Sequence, residues 1–487
     1  MSLSRQRVST VRGLLHVLVT AALALASSGL WAAPVTGETT EFQVAGGLVE
    51  QCVRIAPFPG AQYSKRDLDE EQTYCTLDFA ELALCPKLWS TSPGTILFEI
   101  DDGDFAGFER ENCSDGHHAQ AVARSQPATF KISVNDRDTS ATYAPASWVY
   151  YHLSRYFQTN VRVPVAVYRS TDAQAHNRRV TKPALAIVAN RHGLGMLRAG
   201  WRFLDAVETG QASGSARAGA LTDEGRQVFG VLLSSTGDRY GAEVNGTRES
   251  GWGAGQNLDF QQTAPFLALR NEKPVVEAAQ ASIREARMNP RMAKELRADT
   301  PVEQVVFWMQ DVLEITLLDF ILGQQDRIGN IDYNWFWYWV EDGQLQSRPA
   351  QGKDVPADLA GFTPLRLRQS AINDNDAGVR TGYADFAAKT HMLEGLRHYH
   401  AGLYQRLGRL AADFAAKGPA FQWLTASAGL SSKEADTIAN RVQQAFALLQ
   451  ADCQNGALKL DLEPAQLLMA PGLTESDMGV SCTIATP

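Results

Sequence analysis

The chain has no uninterrupted apolar run long enough to cross a bilayer, no C-x-x-C pair, no internal repeat and no low-complexity tract. The first absence excludes a transmembrane helix, which needs ~20 apolar residues. The second argues against a zinc cluster, because no cysteine has histidines at metal-ligand spacing either. The last two argue against a solenoid and a disordered linker. A positive excess is also missing: 45 Lys and Arg face 54 Asp and Glu, a formal charge of −9. An acidic protein is a poor general binder of nucleic acid or anionic lipid, and neither is expected as a partner.

Acid is absent before Glu38, whereas Arg5, Arg7 and Arg12 precede the largely apolar stretch 14–26 and small residues at Ser27-Ser28-Gly29 and Ala32-Ala33-Pro34. A charged start, a short apolar run and small residues at its exit predict a signal peptide over residues 1–33. Its removal takes away three arginines and no acid, moving the charge from −9 to −12. The expected product is exported, to a periplasm or as a secreted protein, with no membrane span once the signal is gone.

All six cysteines, Cys52, Cys75, Cys85, Cys113, Cys453 and Cys482, follow that segment. An even count in an exported chain predicts disulfides, most simply within the first four and within the last two. Residues 34–90, with three cysteines and the acidic run 67–71, read as an N-terminal extension. Residues 91–270 are strand-rich with long loops: strands are expected at 96–100, 129–134, 161–168 and 228–233, with Pro164 demoting the third to an edge or a bulge. A helix is expected over 146–157. Residues 271–487 turn helical. Thr300-Pro301-Val302-Glu303 and Ser431 with Glu434 have the form of capping boxes opening helices. Strands first and helices second predict an α+β fold with segregated layers.

The stretch that carries chemistry is Leu317-Leu318-Asp319-Phe320-Ile321-Leu322-Gly323-Gln324-Gln325-Asp326-Arg327-Ile328-Gly329-Asn330, in which an apolar helix delivers an Asp-Arg pair into a Gly- and Asn-bearing loop. Phosphoryl transfer needs a carboxylate to orient or deprotonate the acceptor, an amide or carboxylate oxygen on the metal, and a second metal-binding Asp. Asp326 with Asn330 or Asn334 could supply the first two, and the segment 370–378, containing Asp374 and Asp376, the third. The aromatic run Trp335–Trp339 reads as a strand packed on the core. His117-His118 and the pair in His398-Tyr399-His400 read as surface histidines.

Here the chain resembles atypical kinases: the four-jointed/Golgi casein kinase family and, more distantly, HipA-type and phosphatidylinositol kinases. LLDFILGQQDRIGN is similar to their catalytic loop, DNDAGV to their metal motif, and TFKISV with the helix and strand after it to their ATP-lysine region. The resemblance implies a two-lobed protein-kinase-like fold using ATP with Mg²⁺ or Mn²⁺. The acceptor would be a hydroxyl of a protein, glycan or small molecule. Asp326 would be the catalytic carboxylate, Lys131 the phosphate-binding cation, and Asp374 the metal ligand, with Asp376, Asn330 and Asn334 as further candidates. Lys131 and Asp374 would face each other across one cleft. The chain departs from the family pattern in having Ser147 where the lysine's helical Glu partner belongs, Ile331 at the metal-binding Asn position, and only Gly103–Gly107 as a glycine loop. These departures open two alternatives, an inactive pseudokinase serving as a binding scaffold and a variant that transfers AMP.

Overall fold

The computed structural model describes residues 35–212, 219–234, 237–469 and 481–483; the expected signal segment lies outside the described residues. The fold is α+β. Its larger sheet contains β1 (Gly37–Val44), β2 (Leu48–Ile55), β3 (Ala83–Pro86), β4 (Thr95–Glu99), β5 (Ser125–Ile132), β6 (Ala166–Asp172), β7 (Leu221–Thr222) and β8 (Gln227–Leu233). Its order is β1-β2-β6-β8-β5-β4-β3, with β7 on β8. All pairings are antiparallel. Three of these strands come from the segment expected as an extension, so that segment is built into the sheet.

β8 is buried on both faces, which its run Val-Phe-Gly-Val-Leu-Leu suits. Gly230 is required there, because a Cβ would collide with the carbonyl of Lys131 on the neighbouring strand. β6 begins at Ala166, two residues after Pro164. Proline lacks the N–H a ladder needs, so the strand starts after it. β6 is therefore interior, between β2 and β8, not an edge or a bulge.

The helix Ala144–Phe157 is buried along all but two of its residues and carries Pro145 in its first turn. It lies between the sheet and the helix Val302–Leu322, to which the Tyr150 hydroxyl donates at Asp319 over 2.8 Å. Val302–Leu322 is apolar almost all round and runs through the centre of the helical layer. Its cap is Pro301 with no side-chain hydrogen bond, so the expected Thr300–Glu303 capping box does not form. By contrast, Ser431 and Glu434 make their reciprocal box at the head of Ser432–Gln454.

A second sheet joins β9 (Asp238–Arg239), β10 (Ile331–Glu341), β11 (Gln344–Pro349) and β12 (Leu365–Ile372) in the order β11-β10-β12, with β9 also on β10. The aromatic run falls on β10, where Phe336 and Tyr338 pack with Phe307 and Leu367 as expected.

The cysteines pair as Cys52–Cys75, Cys85–Cys113 and Cys453–Cys482, and none is free. Each closes a loop of 23 to 29 residues, worth about 3 kcal/mol in the chain-entropy account. No helix among the described residues is long and apolar enough to cross a membrane. His117 and His118 are exposed, but His398 is fully buried, against expectation. Its two nitrogens are satisfied by Asp461 at 2.9 Å and the Asn271 carbonyl at 2.9 Å, and His400 accepts the Leu403 N–H at the head of the next helix.

Candidate active site

Lys131 stands near the end of β5 between Phe130 and Ile132, and its side chain is nearly inaccessible. Its Nζ lies 2.7 Å from Asp374 Oδ1 and 3.2 Å from Asp376 Oδ2. Lys131 and Asp374 are 243 residues apart in sequence, so this contact ties the large sheet to the end of β12. Burial alone would pull the Lys131 pKa down; the two carboxylates outweigh it and hold the ammonium charged. Lys131 in turn keeps Asp374 well below the usual carboxylate range.

Asp374 follows β12 in a left-handed conformation (φ 50°), one that Asp tolerates. A single-turn 3₁₀ segment, Asn375–Ala377, then presents Asp376. The loop is pinned from three sides. Tyr143 N–H donates to the Asp376 carbonyl (2.6 Å), Gln325 N–H to the Ala377 carbonyl (3.1 Å) and Val379 N–H to the Leu322 carbonyl (2.5 Å).

Gly323 ends the long helix in a left-handed turn (φ 62°) that residues with a Cβ adopt less readily. Arg327 is buried and structural: it grips Asp319 at 3.0 Å, the Asn373 carbonyl at 2.6 Å and Asn375 Oδ1 at 2.8 Å. One guanidinium thereby joins the helix end, the loop after it and the 373–375 turn. Asp326, half-buried beside it, accepts the indole N–H of Trp252 over 3.1 Å. Burial lifts the Asp326 carboxyl above its ordinary range; the Trp252 hydrogen bond opposes this, and the charges of Asp374 and Asp376 add to it.

The remaining expected residues divide. Asn330 is tied to this loop, donating to the Asp326 carbonyl (2.8 Å) and accepting from Arg239 (2.9 Å). Asn334 sits on β10 opposite Gln369 and lines another cavity, with Arg162 and Phe336. Ser147 is buried, its hydroxyl without a partner among the described residues, and no residue of its helix is acidic. Asp374 and Asp376 are thus the counter-ions of Lys131. Gly103–Gly107 forms no phosphate loop, because Asp104 caps the helix Phe105–Asn112 and Gly107 lies inside it.

Three participants, Lys87, Arg239 and Trp252, escaped the sequence reading. Lys87 opens the turn between β3 and β4, which its N–H closes on the Gly94 carbonyl at 2.8 Å. Burial and the nearby Lys131 charge lower its pKa, while Asp374 and Asp376 oppose them, so it shares the field of the same cluster. Pro86-Lys87 and Pro93-Gly94 were turn signals that mark this hairpin. Arg239 pairs with Asp332, which Asn373 also contacts. Trp252 is 65% exposed and meets Phe386 edge-on at 5.5 Å.

No protein-family model matches the chain, and no curated protein matches it either. The functional reading therefore rests on this geometry and on the residues themselves.

Proposed function

We propose that the protein is an exported atypical kinase, transferring phosphate from ATP to a hydroxyl of a protein, glycan or small molecule. The observation that carries the reading is the contact of Lys131 with Asp374 and Asp376, made across 243 residues beside a half-buried Asp326. In protein kinases a loop covers the phosphates, a strand lysine binds them, a catalytic Asp serves the acceptor and a second Asp holds the metal. The β3–β4 hairpin, Lys131 on the adjacent β5, Asp326 after the long helix and Asp374 after β12 occur in that order.

Asp374 and Asp376 offer the oxygen ligands that Mg²⁺ or Mn²⁺ prefers, and these residues would hold the ion. The bound ion would neutralise phosphate charge. Lys131 and Lys87 bring two further cations to the phosphate region, and Asp326, its pKa raised by burial, suits a group that accepts the acceptor's proton. Three disulfides suit an oxidising compartment. The second reading, a non-catalytic binding module, is favoured by Ser147 and by the commitment of Asn330 to Arg239 and the Asp326 carbonyl. AMP transfer would use the same groups with the nucleotide reversed.

The test is nucleotide binding and transfer by the oxidised protein with Mg²⁺ or Mn²⁺. Asp326→Ala should abolish transfer and spare binding, whereas Lys131→Ala and Asp374→Ala should weaken binding, each lost charged contact costing about 1.5–3 kcal/mol. Absence of adenine-nucleotide binding at millimolar concentration would sink the kinase reading.

A further inference from the structure

A cavity of about 910 Å³ lies between the helix Lys65–Tyr74, the turn 158–165 and the β10–β12 sheet. The turn is held firmly. Val161 N–H donates to Glu314 over 2.8 Å, Arg162 N–H to the Ser370 carbonyl over 2.8 Å, and Ile372 N–H to the Arg162 carbonyl over 2.9 Å. Val161 and Val163 are buried, and the extended backbone between them turns Arg162 towards the cavity. Its guanidinium lies 5.6 Å from the Phe336 ring centroid and has no hydrogen-bond or ion-pair partner among the described residues.

Two carboxylates, Asp67 and Glu70, line the same cavity and act on Arg162 through their charge, but neither is within ion-pair distance of it. Arg155 is committed to Asp67 at 2.7 Å, and Arg348 to Asp358 at 2.7 Å. Arg66 is exposed and unpaired among the described residues, and Glu70 accepts the Tyr74 hydroxyl at 2.6 Å. Burial and the like charge of Arg66 lower the Arg162 pKa; the Glu70 carboxylate opposes them, Arg155 adds to the fall and Asp67 opposes it, and the guanidinium remains charged. A largely buried cation normally has an acceptor; here the open side of Arg162 faces a cavity in the size range of small-molecule sites. Ser64, Thr159, Asn160, Ser347 and Gln369 add hydroxyls and amides to the wall.

We propose that this cavity binds a small phosphorylated polyol of the sugar-phosphate class, its phosphate held by the planar fork of Arg162. The hydroxyls and amides of the wall receive the polyol. The site is separate from the Lys131 cluster, yet Gln369, Ala371 and Asn373 line it and Asp374 is the next residue. Occupancy thus bears on the strand that delivers Asp374.

Calorimetric titration of the oxidised full chain with glucose 6-phosphate, inorganic phosphate and glucose tests this. Glucose 6-phosphate should bind wild type and Lys131→Ala alike, and at least about tenfold more weakly to Arg162→Gln. Arg162→Lys, which keeps the charge and loses the fork, should fall between, and it serves if the Gln variant does not fold. Glucose should not bind. Unchanged affinity in the Arg162 variants overturns the proposal, as does loss in Lys131→Ala with Arg162→Gln intact, which would put the phosphate in the other cleft. No binding of glucose 6-phosphate at about 10 mM overturns it too. Inorganic phosphate binding as tightly as the sugar phosphate would overturn the polyol assignment.

Discussion

Replacing Glu314 by Gln should make the protein more stable at pH 8 and leave it almost unchanged near pH 4. Asp311 and Glu314 lie one turn apart on the central helix, fully buried, with no cation paired to either among the described residues. They hold the turn after the helix Ala144–Phe157: Asp311 accepts from Asn160 (2.6 Å) and Ser370 N–H (3.0 Å), and Glu314 from Val161 N–H (2.8 Å). Burial raises Asp311 to about 6, against these hydrogen bonds. Burial and the Asp311 charge raise Glu314 to about 7. Both folded values exceed the unfolded ones of about 3.9 and 4.3, so the folded state binds more protons between those limits. The stability each contributes is complete below pH ~4 and is lost as pH rises through 6 to 7. The gaps between folded and unfolded values, about 2.1 for Asp311 and 2.7 for Glu314, correspond to roughly 3 to 4 kcal/mol per group at pH 8. Gln keeps an oxygen for Val161 N–H, and the Gln310 amide, which donates to Glu314 over 2.9 Å, can turn to offer its oxygen to the new NH₂. The gain should therefore be about 2–3 kcal/mol at pH 8. Urea unfolding of both proteins at several pH values measures it. His152, held down to about 3 by burial, loses stability as pH falls below its unfolded value of about 6.5, but this contribution is common to both proteins and cancels. Parallel pH profiles for wild type and Glu314→Gln would refute the reasoning.

Thiol titration of the unfolded, unreduced protein should find no free cysteine; two or more reactive thiols per chain would contradict the pairing. Arg327→Ala should cost about 3–5 kcal/mol in an unfolding titration, because it strands the buried Asp319 carboxylate and frees the Asn373 carbonyl; a loss below about 1 kcal/mol would mean the grip is incidental. Trp252→Phe keeps a ring but removes the N–H that lowers the Asp326 pKa, so the acid limb of a pH–rate profile should move to higher pH. An unmoved limb would detach Trp252 from Asp326.

What could be read along the chain is what neighbours in sequence decide. The Ser431–Glu434 box forms because donor and acceptor are three residues apart, and it persists although the Tyr143 hydroxyl also donates to Glu434 over 3.3 Å. The grouping of the cysteines follows in the same way from short loops. Thr300 fails because packing of a nearly all-apolar helix sets where its first turn starts, and one residue of register removes the cap. Pro164 was the right signal with the wrong consequence: its missing N–H delays β6 without moving the strand to an edge. His398 is buried because its acceptor Asp461 lies 63 residues downstream, which the His-x-His spacing does not encode. At the candidate site, the order of the motifs anticipated that Lys131 and Asp374 would meet across 243 residues. Lys87 and Trp252 were not anticipated, because their approach depends on how a hairpin and a loop fold over residues remote in the chain.

At rest, the charges around Lys131 nearly cancel: two lysines stand against Asp374 and Asp376. Such a cluster projects little net field of its own. A bare triphosphate would meet the two carboxylates, and a bare divalent ion the two ammonium groups. On the proposed kinase reading, a metal–nucleotide complex would bring both charges together and exchange partners group for group, cation to Asp and phosphate to Lys. The built-in ion pairs would thus act as a filter for composition: ligands that arrive already paired displace them with little electrostatic penalty, and single ions of either sign do not.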